Sequence, residues 1–132
     1  VTGRGPGRGR GYAYGGEGDL EHWLRKTLTD YDEKLPGRLL YYHTHRSDKS
    51  PAGFPDWVFT GPGGVIFREL KGAKEQLKPA QQAWYEMLHR ARADVDVWRP
   101  ADRMSGRISA ELRAVAGLGI SERDRRSDDA RN

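Results

Sequence analysis

The stretches "GFPDW" (53–57) and "ELK" (69–71) carry three side chains that can do chemistry together. Asp56 is expected at the start of one strand and Glu69 inside its neighbour. If those strands pair, the two carboxylates converge on one point. Two hard oxygen ligands and a few waters are what Mg²⁺ requires. Lys71 falls on the face of Glu69, one pleat along. A lysine beside paired acids is a simple ion-pair partner, or it stabilises an oxyanion or orients an attacking water near a metal. A phosphodiester supplies the matching substrate, because it is anionic, needs charge neutralisation and is cut by in-line attack of metal-bound water. Taken singly, the pieces are ordinary. Pro-Asp is a common turn, and E-x-K also suits a solvated strand edge. The residues alone point no further than a metal-dependent site.

The elements that must position these groups read as follows. Leu20, Leu24 and Leu28, with Trp23 beside them, mark a helix over about 17–30. Glu17 falls at its N-terminal edge, Glu21 one turn on, and "KLPGR" breaks it. "RLLYYHTH" (38–45) is a first strand and "DWVFT" (56–60) a second, joined by the polar loop "RSDKSPAG". "GPGG" suits a hairpin-like connection to the third strand, "VIFRELK" (65–71). Its alternation places Val65, Phe67, Glu69 and Lys71 on one face, with Ile66, Arg68 and Leu70 on the other. Pro79 opens a helix over about 79–92, with Gln81, Trp84, Tyr85 and Leu88 on one side. "DVDVWRP" (94–100) is a fourth strand, and a last helix over about 105–116 carries Ile108, Leu112 and Val115. The expected fold is α/β in the order α-β-β-β-α-β-α, a mixed β-sheet flanked by helices.

The totals bound the reading. A chain of 132 residues forms one domain with a modest core. Its net charge of +4 suits a polyanionic partner. The absence of cysteine excludes disulfides, cysteine zinc fingers and thiol catalysis. No apolar run approaches a membrane span, and no hydrophobic signal core opens the chain. A soluble cytoplasmic protein is the expectation. Residues 1–16 are a Gly/Arg-rich low-complexity segment, expected to be a flexible tail. Its sharper alternative is a nucleic-acid contact through Arg4, Arg8, Arg10, Tyr12 and Tyr14. The domain proper spans 17–118, and 119–132 form a charged C-terminal tail.

Other side chains flank the proposed site. His43 and His45 fall on one side of the first strand, but no cysteine or third histidine is near enough in sequence for a zinc set. His43 either bonds phosphate or water near the site or simply packs. Arg46, Lys49, Lys74 and Lys78 lie in the flanking loops. Individually they read as solvated surface, and as a set they suit DNA backbone.

The series "GFPDWVF", "FRELKG", "LKPAQQAWYEML" and "VDVWRPAD" resembles the VRR-NUC family of the PD-(D/E)xK nuclease superfamily, over about residues 17–103. It is most similar to the small stand-alone members of phages and bacteria. The resemblance implies a restriction-endonuclease-like fold, Mg²⁺ or Mn²⁺, and endonuclease chemistry on DNA. It makes Asp56 and Glu69 the metal-binding acids, Lys71 the catalytic lysine and Gln81 the glutamine of the following helix. Leu70 takes the "x", whose backbone carbonyl often helps hold the metal. The acid of the family's first helix matches Glu17, with Glu21 as second choice, and His43 matches its histidine. Two departures stand out. Lys78 replaces the usual serine cap and cannot accept a hydrogen bond from the first turn, and Gly16 and Gly18 flank Glu17. The implied activity is structure-selective cleavage of branched DNA such as a Holliday junction, or of flapped or nicked duplex. Junction resolution needs two symmetric cuts and so a homodimer. The rivals are a non-catalytic DNA-binding module and an accessory nicking subunit of a phage recombination or packaging complex.

Overall fold

The computed structural model of the protein describes residues 15–45 and 49–118. The tail sequence before residue 15, Arg46 and the charged C-terminal segment from 119 onward lie outside the described residues.

Helix α1 (Glu17–Lys34) buries the expected Leu20, Leu24 and Leu28 stripe. Glu17 and Asp19 in its first turn suit the positive end of the helix dipole, and the Asp19 carboxylate accepts the Gly16 N–H at 3.3 Å. The helix runs a turn beyond its expected end, because nothing stops it before "LPG". There the Leu35 N–H still reaches the Tyr31 carbonyl at 2.8 Å.

Strands β1 (Leu40–His43), β2 (Trp57–Gly61), β3 (Gly64–Leu70) and β4 (Asp94–Trp98) form one sheet in that spatial order. The first three are antiparallel, and β4 joins β3 in parallel. A parallel neighbour requires a crossover connection, and helix α2 (Pro79–Arg90) supplies it. The architecture is therefore mixed α/β, a four-stranded mixed sheet flanked by helices.

The last helix lies where it is expected, but a short helix that the sequence reading does not include precedes it. Pro100, two residues past the end of β4, begins α3 (Pro100–Met104), where the Asp102 carboxylate accepts the Arg99 N–H at 2.8 Å. Gly106, with φ +85°, then breaks the path, and α4 (Arg107–Val115) follows. The order is thus α-β-β-β-α-β-α-α. A proline that reads as the stop of a strand suits equally well the first position of a helix, so the sequence pattern does not announce this short element.

The period-two alternation gives the sheet two different faces. Trp57, Phe59, Ile66, Leu70 and Trp98 join α1 and α4 in the main core. The Trp57 and Phe59 rings stack at 5.6 Å, and Phe59 lies 5.4 Å from Trp98. Arg68 also enters this face and is only 3% exposed. Its guanidinium is neutralised by Asp94 and Glu111, each 2.9 Å from Nη2. Glu111 additionally accepts the Trp98 indole N–H at 2.8 Å and the Arg107 Nε–H at 2.6 Å. The opposite face carries Phe67 and Glu69 beneath α2. No residue of α2 is fully buried, and Trp84, Tyr85 and Leu88 are half-buried, because this helix covers its part of the sheet as a single layer. Among the described residues no helix is long and apolar enough to cross a membrane.

Candidate active site

The loop before β2 is fixed residue by residue. Gly53 has φ +97°, and a Cβ there would lie 2.3 Å from the Ala80 carbonyl oxygen, so only glycine lets the loop rest against the first turn of α2. Phe54 sets its ring edge-on to Trp84 at 5.0 Å and to Phe67 at 6.1 Å. Pro55 is buried, and its carbonyl accepts the Thr44 hydroxyl at 2.8 Å. The Asp56 carbonyl accepts the Thr44 N–H at 2.7 Å. These contacts leave the Asp56 side chain aimed at β3, where Oδ2 accepts the Leu70 N–H at 2.9 Å.

Trp57 pairs with Arg68 across β2 and β3. One further step of this antiparallel register sets Asp56 opposite Glu69, the arrangement that brings two side chains closest across a sheet. Glu69 is 6% exposed. Its Oε2 accepts the Gln81 amide N–H at 3.0 Å, while the Gln81 Oε1 accepts the Lys78 N–H at 2.8 Å. Gln81 thus makes the reciprocal bond of a capping box, back to the Lys78 N–H, and at the same time holds the acid. Burial, and then the Asp56 charge and a hydrogen bond with its side chain, push the Glu69 carboxyl up to about 8, with Lys71 working in the other direction.

Lys71 follows β3 directly, and its N–H donates to the Trp98 carbonyl at 3.0 Å. Its side chain is buried, with Nζ 3.5 Å from the Glu75 carboxylate. Glu17, the first residue of α1, enters the same group. Burial raises its carboxyl to about 7, helped by a hydrogen bond with Glu75 and by the charges of Glu75 and Asp56, and opposed by Lys71. Glu21 goes elsewhere, pairing with Arg25 at 3.0 Å one helical turn on. Of the two helix acids, Glu17 is the one the fold brings to Asp56 and Lys71.

The expected flanking residues divide. His43 belongs to a separate cluster: its ring lies 4.5 Å from that of Trp57, and its Nδ1 is 3.1 Å from an Arg25 guanidinium nitrogen. Arginine only donates, so Nδ1 is the acceptor of this contact. Lys74 and Lys78 are exposed between β3 and α2, and Lys49 is exposed between β1 and β2.

Two residues of the site escaped the sequence reading. Glu75 meets both Lys71 and Glu17, and Gly72 N–H donation to its carboxylate at 3.0 Å is the first cause that holds it below the usual carboxylate range. Arg99 reaches the same turn, donating to the carbonyls of Gly72 and Glu75, each at 2.7 Å.

Among the described residues, no group of three or more His, Cys, Asp or Glu side chains is arranged to hold a metal ion. The acids instead engage donors of the chain: Asp56 the Leu70 N–H and Glu69 the Gln81 amide. What Glu17 and Glu69 share is burial first and then the nearby charge of Asp56, which together raise both carboxyls. The chain matches no protein-family model, no curated protein and no solved structure.

Proposed function

We propose that this protein is a Mg²⁺- or Mn²⁺-dependent DNA endonuclease with a restriction-endonuclease-like fold. The observation that carries the reading is the meeting of the Asp56 side chain, just before β2, with that of Glu69 in β3, with the buried Lys71 ammonium next along. Mg²⁺ commonly binds through one or two carboxylates and fills its other positions with water and phosphate oxygens. Asp56 beside the buried Glu69, whose proton affinity it raises, therefore fits such an ion. Asp56 and Glu69 would hold it, with Glu17 beside them and the Leu70 carbonyl as a further oxygen donor. When bound, the ion supplies Lewis-acid polarisation of a phosphoryl oxygen and a more acidic water.

The chain's own residues do the rest. Gln81 fixes the rotamer of Glu69, and the Leu70 N–H fixes that of Asp56. Lys71 supplies a positive group with donors only, suited to the anionic phosphate or to a nucleophilic water. Lys74, Lys78, Lys49 and Arg46 would hold the DNA backbone, a sequence-independent grip. A substrate recognised by shape follows from this, such as a Holliday junction, a flap or a nicked duplex. Paired cuts at a junction would require a two-fold homodimer. A purely DNA-binding module fits less well, because buried acids repel phosphate and add nothing to such a surface.

The test is a panel of end-labelled junction, flap, nicked, duplex and single-stranded DNA, incubated with Mg²⁺, Mn²⁺ or EDTA. Metal-dependent cleavage of at least one branched or nicked form supports the proposal. No cleavage of any form in either metal contradicts it.

A further inference from the structure

Lys71 is a buried ammonium on a long, flexible stem, surrounded by acids that each attract it. A lysine in that setting needs something to decide where its charge sits. The geometry points to Glu75 as the residue that positions Lys71, with Arg99 as the clamp that holds Glu75 in place. The reading of what Lys71 does rests on the proposed nuclease function, but the reading of how it is held does not.

Glu75 divides its carboxylate between two tasks. Oε1 accepts the Gly72 N–H at 3.0 Å, and Oε2 faces Lys71 Nζ at 3.5 Å. The first bond fixes the carboxylate against the backbone of its own turn, so the second oxygen cannot follow the lysine wherever it moves. The turn itself is closed by the Glu75 N–H donating to the Gly72 carbonyl at 3.3 Å. One Arg99 nitrogen then bridges both ends of that turn, at 2.7 Å to each carbonyl. Arg99 directly follows β4, and its neighbour Trp98 accepts the Lys71 N–H. The end of β3, the turn and the end of β4 therefore form one braced unit, with the Lys71 stem inside it. Without the Glu75 charge, the acids left to attract the ammonium are those of the site itself, Glu17 and Glu69, whose carboxyls Lys71 already pulls down. There it would neutralise the two acids rather than meet a phosphate or a water. Glu75 thus works as a counter-charge that keeps the lysine apart from the acids it serves. Its attachment to Glu17 extends the brace to α1.

The experiment uses the full chain. Nitrogen-15 NMR detects an immobilised lysine ammonium apart from freely exchanging surface lysines, and Lys71→Arg assigns the signal by its disappearance. Glu75→Ala and Arg99→Ala should each lose or broaden this signal, whereas Arg99→Lys should restore part of it. Glu75→Gln keeps an acceptor for the Gly72 N–H and removes the charge, so it should preserve the turn and still release Lys71. In cleavage assays with Mg²⁺, Glu75→Ala should lower kcat about tenfold to a hundredfold, the scale of a misplaced reacting group, with KM unchanged. Lys71→Ala with Glu75→Ala should be no slower than Lys71→Ala alone, because both act through one group. An unchanged Lys71 signal in folded Glu75→Gln, or additive losses in the double variant, would overturn the inference. If the wild-type protein cuts no DNA, the nuclease reading fails while the NMR comparison still decides whether Glu75 holds Lys71.

Discussion

The Asp56 carboxylate accepts the backbone N–H of Leu70 at 2.9 Å. The residue that follows the loop proline is thereby tied to the middle of "ELK", and the two halves of the candidate site cannot move independently. Thr44 continues the linkage by bonding the carbonyls of Pro55 and Asp56, which adds β1 to the same unit. A site built this way is rigid because its backbone, not only its side chains, is bonded across strands.

Gly53 is the position where this rigidity is most exposed to a small change. A methyl group there would lie 2.3 Å from the Ala80 oxygen, and the residue would have to keep φ +97°. Gly53→Ala should destabilise the fold by more than about 1 kcal/mol, since alanine is strained at positive φ. It should also displace Asp56 and so reduce any cleavage more than stability alone explains. Urea unfolding with the wild-type midpoint would show that the loop tolerates the shift.

Protonation of the acids makes stability depend on pH in a defined direction. The Glu69 and Glu17 carboxyls stand at about 8 and about 7 in the folded chain, against an ordinary 4.5. The folded state therefore keeps protons that the unfolded state has released. Stability from these groups is complete below the ordinary value and is lost as pH rises through the raised ones. In the presence of a chelator, the melting temperature should fall between about pH 5 and about pH 9. Glu69→Gln, which cannot ionise, should flatten that fall. A melting temperature rising across this range, or one whose slope is the same in Glu69→Gln, would contradict the assignment.

Much of this could be read in the sequence, for reasons that differ by residue. The leucine stripe of α1 and the alternation of β3 are periodic, and periodicity reports burial directly. Asp56, Glu69 and Gln81 stand in short motifs whose spacing survives any error in element boundaries. Glu75 has neither advantage. It lies in an irregular turn, and its only cue is a position four residues after Lys71, a spacing that means contact on a helix and little elsewhere. Arg68 was placed correctly on the face opposite Glu69, yet its partners Asp94 and Glu111 come from a parallel neighbour and a distant helix. Nothing local encodes such a meeting. The α3 helix is hidden because its first residue, Pro100, reads equally well as the stop of a strand.

That Arg68 network carries its own expectation. Glu111 serves Arg68, Trp98 and Arg107 together. Glu111→Ala would leave a nearly inaccessible guanidinium short of one acid and orphan the Trp98 N–H. Removing one partner of a buried ion pair costs about 3 kcal/mol or more. Chemical denaturation should register a loss of that order without any specific effect on DNA binding. A loss below about 1 kcal/mol, the range of exposed pairs, would show that Asp94 alone neutralises Arg68.

Lys71 separates from the acids by its chemistry. A protonated ammonium has no lone pair to give a metal. Lys71→Ala should therefore lose roughly a hundredfold or more in cleavage rate, with metal affinity by calorimetry unchanged or higher. Lys71→Arg should rescue poorly, because guanidinium is longer, planar and never gives up its proton. Wild-type cleavage by Lys71→Ala would reduce "ELK" to a charged strand end.

Under the proposed nuclease function, Asp56 and Glu69 together hold the metal ion. The most direct test of this claim compares wild type, Asp56→Ala and Glu69→Ala for cleavage and for binding of the same labelled junction, flap and nicked DNA, with Mg²⁺ and with EDTA. Wild type should cut with Mg²⁺ and stop in EDTA. Both variants should lose cleavage while binding DNA as tightly or more tightly, since each removes a negative charge near phosphate. Full activity of either variant in Mg²⁺, or wild-type cleavage that persists in EDTA, would contradict it.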